Sequence, residues 1–315
     1  MLRLNEKAWE ILQEMIDNSE ALKIRVHRSQ RGAILVDAGV ECLGSLNAGL
    51  LVSRMLLSGL GDVRITFQGG VPYVQVMTDY PLYACMASQY AGWSISIGKF
   101  FAMGSGPARL LGSKEPLIEE FNWKSKEDRG VLFLETSRFP PEEVVDYISE
   151  SCELPPDRLG IVFAPTGSLV GAVQVTARVV ETGIHKMHEI GYDIRKLVSA
   201  MGMAPIPPLG KDDLEAIGRT NDAVIYGGST FYFVSDDSDL SDLISRIPSS
   251  SSESYGLPFL ELFKRSNYKF YDMDPLLFSP AEVTIVSILT GRAFKAGKVN
   301  LELLRASFGY EIGDS

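Results

Sequence analysis

Residues 161–187 read IVFAPTGSLVGAVQVTARVVETGIHKM, and this stretch decides how the rest of the sequence is interpreted. An apolar run over 161–164 precedes Pro-Thr-Gly-Ser and a segment that carries Arg178 and Glu181, an order typical of strand, turn and helix. On a helix, Arg178 and Glu181 would share one face, where they could pair or share a ligand. On a strand, they would point to opposite faces.

The local pattern alone leaves both structures open. The valines of residues 173–179 alternate with polar residues, which favours a strand. A related stretch, GSLNAGLLVSRMLLSGL at 44–60, aligns with GSLVGAVQVTARVVETGI at 167–184 and has no such alternation. Arg54 then falls opposite Arg178 at a separation of 124 residues, and Leu57 falls opposite Glu181. We therefore predict that both segments are helices ending near a glycine.

The repeat leads to a prediction for the whole fold. We expect a mixed α/β (α+β) protein with two similar domains from an internal duplication and an active-site cleft between them. The first repeat would occupy residues 1–128, and the second, with the catalytic helix, residues 129–315, allowing for segments exchanged between the halves. Only the second copy has a carboxylate, Glu181, which indicates a single site.

Composition excludes several classes of protein. The 315 residues carry a net charge of −10, and the basic residues are scattered, so no nucleic-acid partner is expected. No apolar run reaches the ~20 residues of a membrane span, and the amphipathic N-terminus does not resemble a signal peptide, so we expect a cytoplasmic protein. Cys42, Cys85 and Cys152 form no CxxC pair and are interpreted as free thiols.

Further along the chain, several segments are less certain. Residues 188–201 and 211–217 are predicted to be helical, and 63–67 with 73–77 to form a hairpin. The stretch GRTNDAVIYGGSTFYFV at 218–234 reads as polar residues before a strand that breaks at 227–230, either a ligand loop or a polar corner. The glycine loop at 98–111 could offer backbone amides to an anion or form a tight turn.

His185 and His188 are three residues apart, with Glu189 adjacent, and could bind a metal ion. The chain has only three histidines, so we predict no metal site. Acid–base chemistry by a carboxylate beside an arginine remains, although most such pairs on helices are surface salt bridges worth ~0–1 kcal/mol.

Three long blocks carry a resemblance to a known family. APTGSLVGAVQVTARVVETGIHKM, GKFFAMGSGPARLL and APIPPLGKDDLEAIGRTNDAVIYGG resemble methenyltetrahydromethanopterin cyclohydrolases, and the similarity covers essentially the whole chain. It implies a cytoplasmic, homotrimeric enzyme of one-carbon metabolism in methanogenesis or methylotrophy. Such an enzyme hydrolyses 5,10-methenyl-tetrahydromethanopterin to the 5-formyl compound without a metal or redox cofactor. The family's catalytic arginine and glutamate correspond to Arg178 and Glu181.

The residue chemistry suits this reaction. The methenyl carbon is part of an amidinium cation and is already electrophilic, so a carboxylate that deprotonates water is sufficient. We predict that Glu181 is this base and that Arg178 orients it and keeps it ionised. The predicted substrate contacts are Lys99, Ser105, Arg219, Thr220, Asn221, Asp222, Gly227, Gly228, Ser229 and Thr230. The alternatives are a non-catalytic pterin-binding protein on the same scaffold and a metal-dependent amidohydrolase that uses His185 and His188.

Overall fold

The structure is a computed structural model and describes residues 2–269 and 272–309. In chain order, the strands are β1 (Arg25–Arg28), β2 (Ile34–Asp37), β3 (Gly61–Gln68), β4 (Val71–Thr78), β5 (Trp93–Ile97), β6 (Phe100–Ser105), β7 (Gly130–Glu135), β8 (Leu159–Ala164), β9 (Leu197–Pro205), β10 (Ser229–Val234), β11 (Glu282–Ser287) and β12 (Ala293–Gly297). The helices are α1 (Leu4–Asp17), α2 (Ser19–Leu22), α3 (Leu46–Leu56), α4 (Arg109–Gly112), α5 (Pro116–Glu120), α6 (Glu142–Ser151), α7 (Leu169–Thr176), α8 (Val179–Glu189), α9 (Asp213–Gly227), α10 (Leu240–Leu243), α11 (Phe259–Arg265) and α12 (Leu301–Phe308), with a π-helix at Leu82–Gln89. These elements confirm the predicted mixed α/β class. No helix within the described ranges is long and apolar enough to cross a membrane.

The chain folds into two compact units, and each is assembled from two segments. The first consists of Met1–Asp62 and Leu82–Gln174, and the second of Val63–Pro81 and Val175–Ser315. The boundary expected after residue 128 lies within the first unit. The reason is strand pairing over long sequence separations, since β7 pairs with β6 and β8 pairs with β2.

The first unit contains a six-stranded sheet in the order β1-β2-β8-β7-β6-β5. Its central strands β2, β8 and β7 run parallel to one another and are apolar on both faces, as expected when helices cover both sides. Helices α1 and α3 cover one face through residues such as Leu12 and Met55, and α6 covers the other through Val145 and Ile148. Each such buried side chain contributes about 1.5–3 kcal/mol.

The second unit contains a sheet in the order β12-β11-β10-β9-β4-β3. The predicted helix over 188–201 is wrong beyond residue 189, because α8 ends at Glu189 and β9 follows from Leu197. This strand pairs with β4 on one side and β10 on the other. Its small residues, such as Ala200 and Gly202, carry little strand propensity, so its position in the sheet decides its structure.

The two related segments follow adjacent strands of the first sheet. Helix α3 follows β2, and α7 follows the neighbouring parallel strand β8. Both helices begin with a serine cap: the Ser45 hydroxyl accepts from the Ala48 amide at 3.0 Å, and the Ser168 hydroxyl accepts from the Gly171 amide at 2.9 Å. The match therefore corresponds to two neighbouring strand–turn–helix units, while a duplication of whole domains stays a prediction.

The prediction that segment 167–184 forms one helix ending near a glycine is wrong. Helix α7 ends at Thr176, and α8 begins at Val179 and continues to Glu189. Gly183 lies inside α8 and does not end it. A Cβ at Gly183 would lie 2.1 Å from the Tyr232 hydroxyl, so glycine is needed for the close approach of β10. Gly59, with φ of +64°, does follow the end of α3 as predicted.

Candidate active site

Arg178 and Glu181 lie one helical turn apart at the start of α8, and their exposed fractions are only 8% and 5%. Arg178 is the residue before the helix: its backbone amide donates to the Val175 carbonyl at 3.1 Å, and its carbonyl accepts from Thr182 at 2.9 Å. Glu181 lies in the first turn, where the helix dipole favours a negative charge. Because burying an arginine and a glutamate is costly, this pair differs from an ordinary surface salt bridge.

The second sheet holds the first turn of α8 at short range. The Tyr232 hydroxyl of β10 donates to the Val180 carbonyl at 2.9 Å. A Cβ at Gly202 or at Gly228 would lie 3.0 Å from the side chains of Val180 and Val179, respectively. Gly228 therefore lies directly beside the turn that carries Glu181.

The predicted break at 227–230 takes a regular form. Gly227 ends α9 and contacts Pro205, while Ser229 and Thr230 begin β10. A Cβ added at Gly202 would lie 2.9 Å from the Thr230 methyl and 3.0 Å from the Val180 side chain. This segment is therefore near the first turn of α8, and its contact with substrate stays a prediction.

Arg219, Thr220 and Asn221 lie within α9, not in a loop or polar corner. The Thr220 hydroxyl and the Asn221 amide each donate at 2.8 Å to a carbonyl one turn earlier in the helix. The Arg219 guanidinium donates to the carbonyls of Leu209 at 2.9 Å and Ser307 at 3.3 Å. These polar groups thus have partners within the second unit, and nothing in these contacts tests their predicted role in substrate binding.

Asp222 connects three helices. Its carboxylate accepts from the Phe259 amide at the start of α11 at 2.8 Å and from the Ser307 hydroxyl of α12 at 2.5 Å. The side chain is buried, and this desolvation raises the pKa of Asp222 from 3.8 to about 7, although the two hydrogen bonds act in the opposite direction.

This pKa shift predicts a dependence of stability on pH. Between pH ~4 and ~7 the folded protein binds the Asp222 proton more tightly than the unfolded chain does, so this residue's contribution to stability is lost as pH rises through about 7. In Asp222→Asn we expect the free energy of unfolding to fall less between pH 5 and 8, by on the order of 2 kcal/mol. Urea unfolding at several pH values measures this, with exposed Asp242→Asn as the control. Parallel profiles for wild type and Asp222→Asn would contradict it.

Lys99 and Ser105 lie at opposite ends of β6: Lys99 directly precedes the strand, and Ser105 is its last residue. Lys99 is exposed in the turn before the strand, where its carbonyl accepts from Arg138 at 2.5 Å, whereas Ser105 ends the strand and is buried. Six extended residues separate them by about 20 Å. Since β6 is antiparallel to β7, Lys99 lies at the sheet edge where β7 ends.

Three polar residues lie near this edge and were not predicted as site residues: Glu135, Thr166 and Gln174. Glu135 is the last residue of β7; its carboxylate accepts from the Thr166 hydroxyl at 2.5 Å and from the Gln174 amide at 3.1 Å. A signal was present, because Glu135 ends an apolar run and Thr166 lies in the turn after the next strand. The carboxyl ends of parallel strands are a common position for ligand sites.

The two histidines lie near a glutamate. His185 and His188 are 3.7 and 3.8 Å from Glu189, and burial lowers the pKa of His185, an effect that Glu189 partly opposes. Across residues 2–269 and 272–309, no three histidine, cysteine or acidic side chains form a group that could hold a metal ion. The donor set that the amidohydrolase alternative requires is therefore not found in the described part of the chain.

The similarity to known proteins covers nearly the whole chain. The family described as Cyclohydrolase (MCH) matches residues 3–308. Proteins named methenyltetrahydromethanopterin cyclohydrolase from Methanococcoides burtonii and Methanothermobacter marburgensis are each 43% identical to it, over 98% of this chain and 99% and 100% of their own lengths. The protein of that name from Methanocaldococcus jannaschii is 42% identical over 98% of this chain and 99% of its own length. This chain therefore belongs to the methenyltetrahydromethanopterin cyclohydrolase family.

Proposed function

We propose that this chain catalyses the reversible hydrolysis of 5,10-methenyl-tetrahydromethanopterin to 5-formyl-tetrahydromethanopterin. The observation that carries the proposal is the burial of both Arg178, the residue before α8, and Glu181, in the first turn of α8. An acid–base carboxylate beside a cation is the group that water addition to an amidinium carbon requires. The names of the relatives, which are more than 40% identical over almost their full length, support the same substrate.

In this mechanism Glu181 is the general base. It removes a proton from water as the water oxygen bonds to the methenyl carbon, and the positive charge of the amidinium is neutralised. Glu181 then returns the proton to the departing nitrogen as the bond between that nitrogen and the former methenyl carbon breaks. The hydroxyl group of the adduct loses its proton to solvent as its oxygen forms the C=O bond, which leaves the formyl group on N5 and releases one proton overall. Arg178 orients the carboxylate and opposes the tendency of a buried acid to become protonated. A carboxylate fixed before the cationic substrate arrives also provides electrostatic stabilisation.

A direct assay tests this proposal. Purified protein is mixed with methenyl-tetrahydromethanopterin, and the loss of the amidinium absorbance is followed against buffer alone. We expect turnover on the order of 1–10³ per second, the usual range for enzymes. Binding of the substrate without any acceleration of its hydrolysis would exclude catalysis and favour a pterin-binding protein.

The proposal includes finer points that the family resemblance implies. They are a role in one-carbon metabolism, a cytoplasmic location, a homotrimer and a reaction without metal or redox cofactor. The pterin substrate would be the only small-molecule partner, with neither nucleic acid nor membrane involved.

A further inference from the structure

Tyr232 contacts helix α8 at the residue directly before Glu181. Tyr232 lies in β10 and is completely buried, and its hydroxyl donates to the Val180 carbonyl at 2.9 Å. A buried tyrosine hydroxyl needs a hydrogen-bond partner, and this one is paired with the backbone of the first turn of α8. Because Glu181 follows Val180 in the chain, the bond fixes the backbone position from which the Glu181 side chain extends.

The absence of a side chain at Gly183 allows this contact. A Cβ added at Gly183 would lie 2.1 Å from the Tyr232 hydroxyl, and Cβ atoms do not approach other heavy atoms this closely. A larger residue at position 183 would therefore push α8 away from β10. Glycine is also less favourable than alanine inside a helix, so the close approach is obtained at the expense of helix stability.

The side of α8 that faces the second sheet is not the side that carries Glu181. Val179, Val180 and Gly183 are the residues of α8 that approach this sheet. An α-helix turns by about 100° per residue, which places Glu181 on the opposite side. Any effect of the Tyr232 hydroxyl on Glu181 therefore passes through the helix backbone.

We propose that Tyr232 and Gly183 are positioning residues that set the distance between the Glu181 carboxylate and the reacting water. This inference rests on the proposed function, in which Glu181 is the general base. A base must lie within hydrogen-bond reach of the proton it removes, and a misplacement of about 1 Å can lower the rate by about 10²-fold. Together, the hydroxyl and the space at Gly183 determine how closely the first turn of α8 approaches β10.

Steady-state kinetics of Tyr232→Phe with methenyl-tetrahydromethanopterin tests the assignment. The substitution removes the hydroxyl and keeps the ring. We expect kcat to fall about tenfold, because the loss of one hydrogen bond allows a shift smaller than 1 Å, while KM stays within about twofold of the wild-type value. Circular dichroism at the assay temperature shows whether the variant is folded.

Tyr192→Phe is the matched control, because it removes the same kind of hydrogen bond at the other end of α8. The Tyr192 hydroxyl donates to the Asp236 carbonyl at 3.2 Å, and Tyr192 follows the last residue of the helix by three positions. A merely structural role of both hydroxyls predicts equal changes of kcat in the two variants. A positioning role of Tyr232 predicts that kcat falls in Tyr232→Phe and stays at the wild-type value in Tyr192→Phe.

Gly183→Ala tests the other half of the contact. The added Cβ would overlap the Tyr232 hydroxyl, so we expect α8 to shift and kcat to fall by about 10²-fold. In the double variant with Tyr232→Phe the oxygen is removed, and the nearest remaining atoms would be the ring carbon Cζ at 3.1 Å and Pro280 Cδ at 3.3 Å. Small adjustments accommodate these distances, so kcat of the double variant should exceed that of Gly183→Ala by about tenfold.

The outcomes separate this inference from the proposed function. A wild-type protein without turnover removes both. An active wild type overturns the positioning role alone if kcat of folded Tyr232→Phe lies within about twofold of it, or if Tyr192→Phe loses as much. A double variant no faster than Gly183→Ala has the same consequence. Should Gly183→Ala fail to fold, the comparison of Tyr232→Phe with Tyr192→Phe decides the inference.

Discussion

Glu181→Gln should lower kcat by about 10²–10⁴-fold and leave KM within a fewfold of the wild-type value. Glutamine has nearly the same shape and can occupy the buried position in the first turn of α8, but it cannot accept a proton from water. Substrate binding should therefore persist, and the chemical step should slow. Single-turnover measurements with excess enzyme report this step directly, and circular dichroism shows whether the variant is folded.

Glu189→Gln is the matched control for this experiment, because Glu189 ends the same helix and is more exposed. Its turnover should equal that of the wild type. A metal-dependent reaction at His185 and His188 predicts the reverse, since Glu189 lies 3.7–3.8 Å from both imidazoles. Turnover of Glu181→Gln within threefold of the wild type would remove Glu181 from the role of base.

Features that depend on local chemistry were predicted from the sequence. Gly59 follows the end of α3 because a glycine adopts the positive φ of a helix C-terminus without steric cost, whatever the rest of the fold. The break between α7 and α8 was missed for a physical reason. Val173, Gln174 and Thr176 are all completely buried, so the alternation of valines with polar residues over 173–179 does not correspond to alternating exposure and does not show where α7 ends.

Features that depend on distant pairing could not be predicted in the same way. The polar run Gly-Arg-Thr-Asn-Asp resembles a loop, but Asp222 and Arg219 contact Ser307, more than 80 residues away, and the run is helical. Glu135 became a candidate only when β7 and β8 were seen to be neighbours. Arg178 and Glu181 were named from their spacing and from the family resemblance; both are buried, and their catalytic role stays a prediction.

A second large effect is expected from a buried ion pair in the first unit. Arg109 is completely buried, and Glu115 is 7% exposed. The Arg109 Nε donates to Glu115 Oε1 at 2.8 Å, and a second contact joins Nη2 to Oε2. Arg109 Nη1 also donates to the carbonyls of Ala87 and Ser88, at 3.1 and 3.2 Å, in the π-helix. The guanidinium therefore connects α4, the start of α5 and the π-helix.

Glu115→Gln should reduce the free energy of unfolding by about 3–5 kcal/mol, because the guanidinium remains buried without its counterion. Urea unfolding followed by circular dichroism measures this change, and exposed Glu119→Gln in α5 should alter it by less than about 0.5 kcal/mol. A loss below about 1 kcal/mol for Glu115→Gln would contradict the argument.

The double variant Arg109→Met with Glu115→Met separates the two causes of that loss. It removes the isolated charge but leaves the carbonyls of Ala87 and Ser88 without their donor. If the uncompensated charge dominates, the double variant should be more stable than Glu115→Gln, since an ion pair replaced by apolar residues of similar volume is often tolerated. If the carbonyls dominate, it should be no more stable, because each unpaired buried group costs about 1–3 kcal/mol. Among the described residues, the Arg109 guanidinium contacts no carboxylate other than Glu115, so we expect the first result.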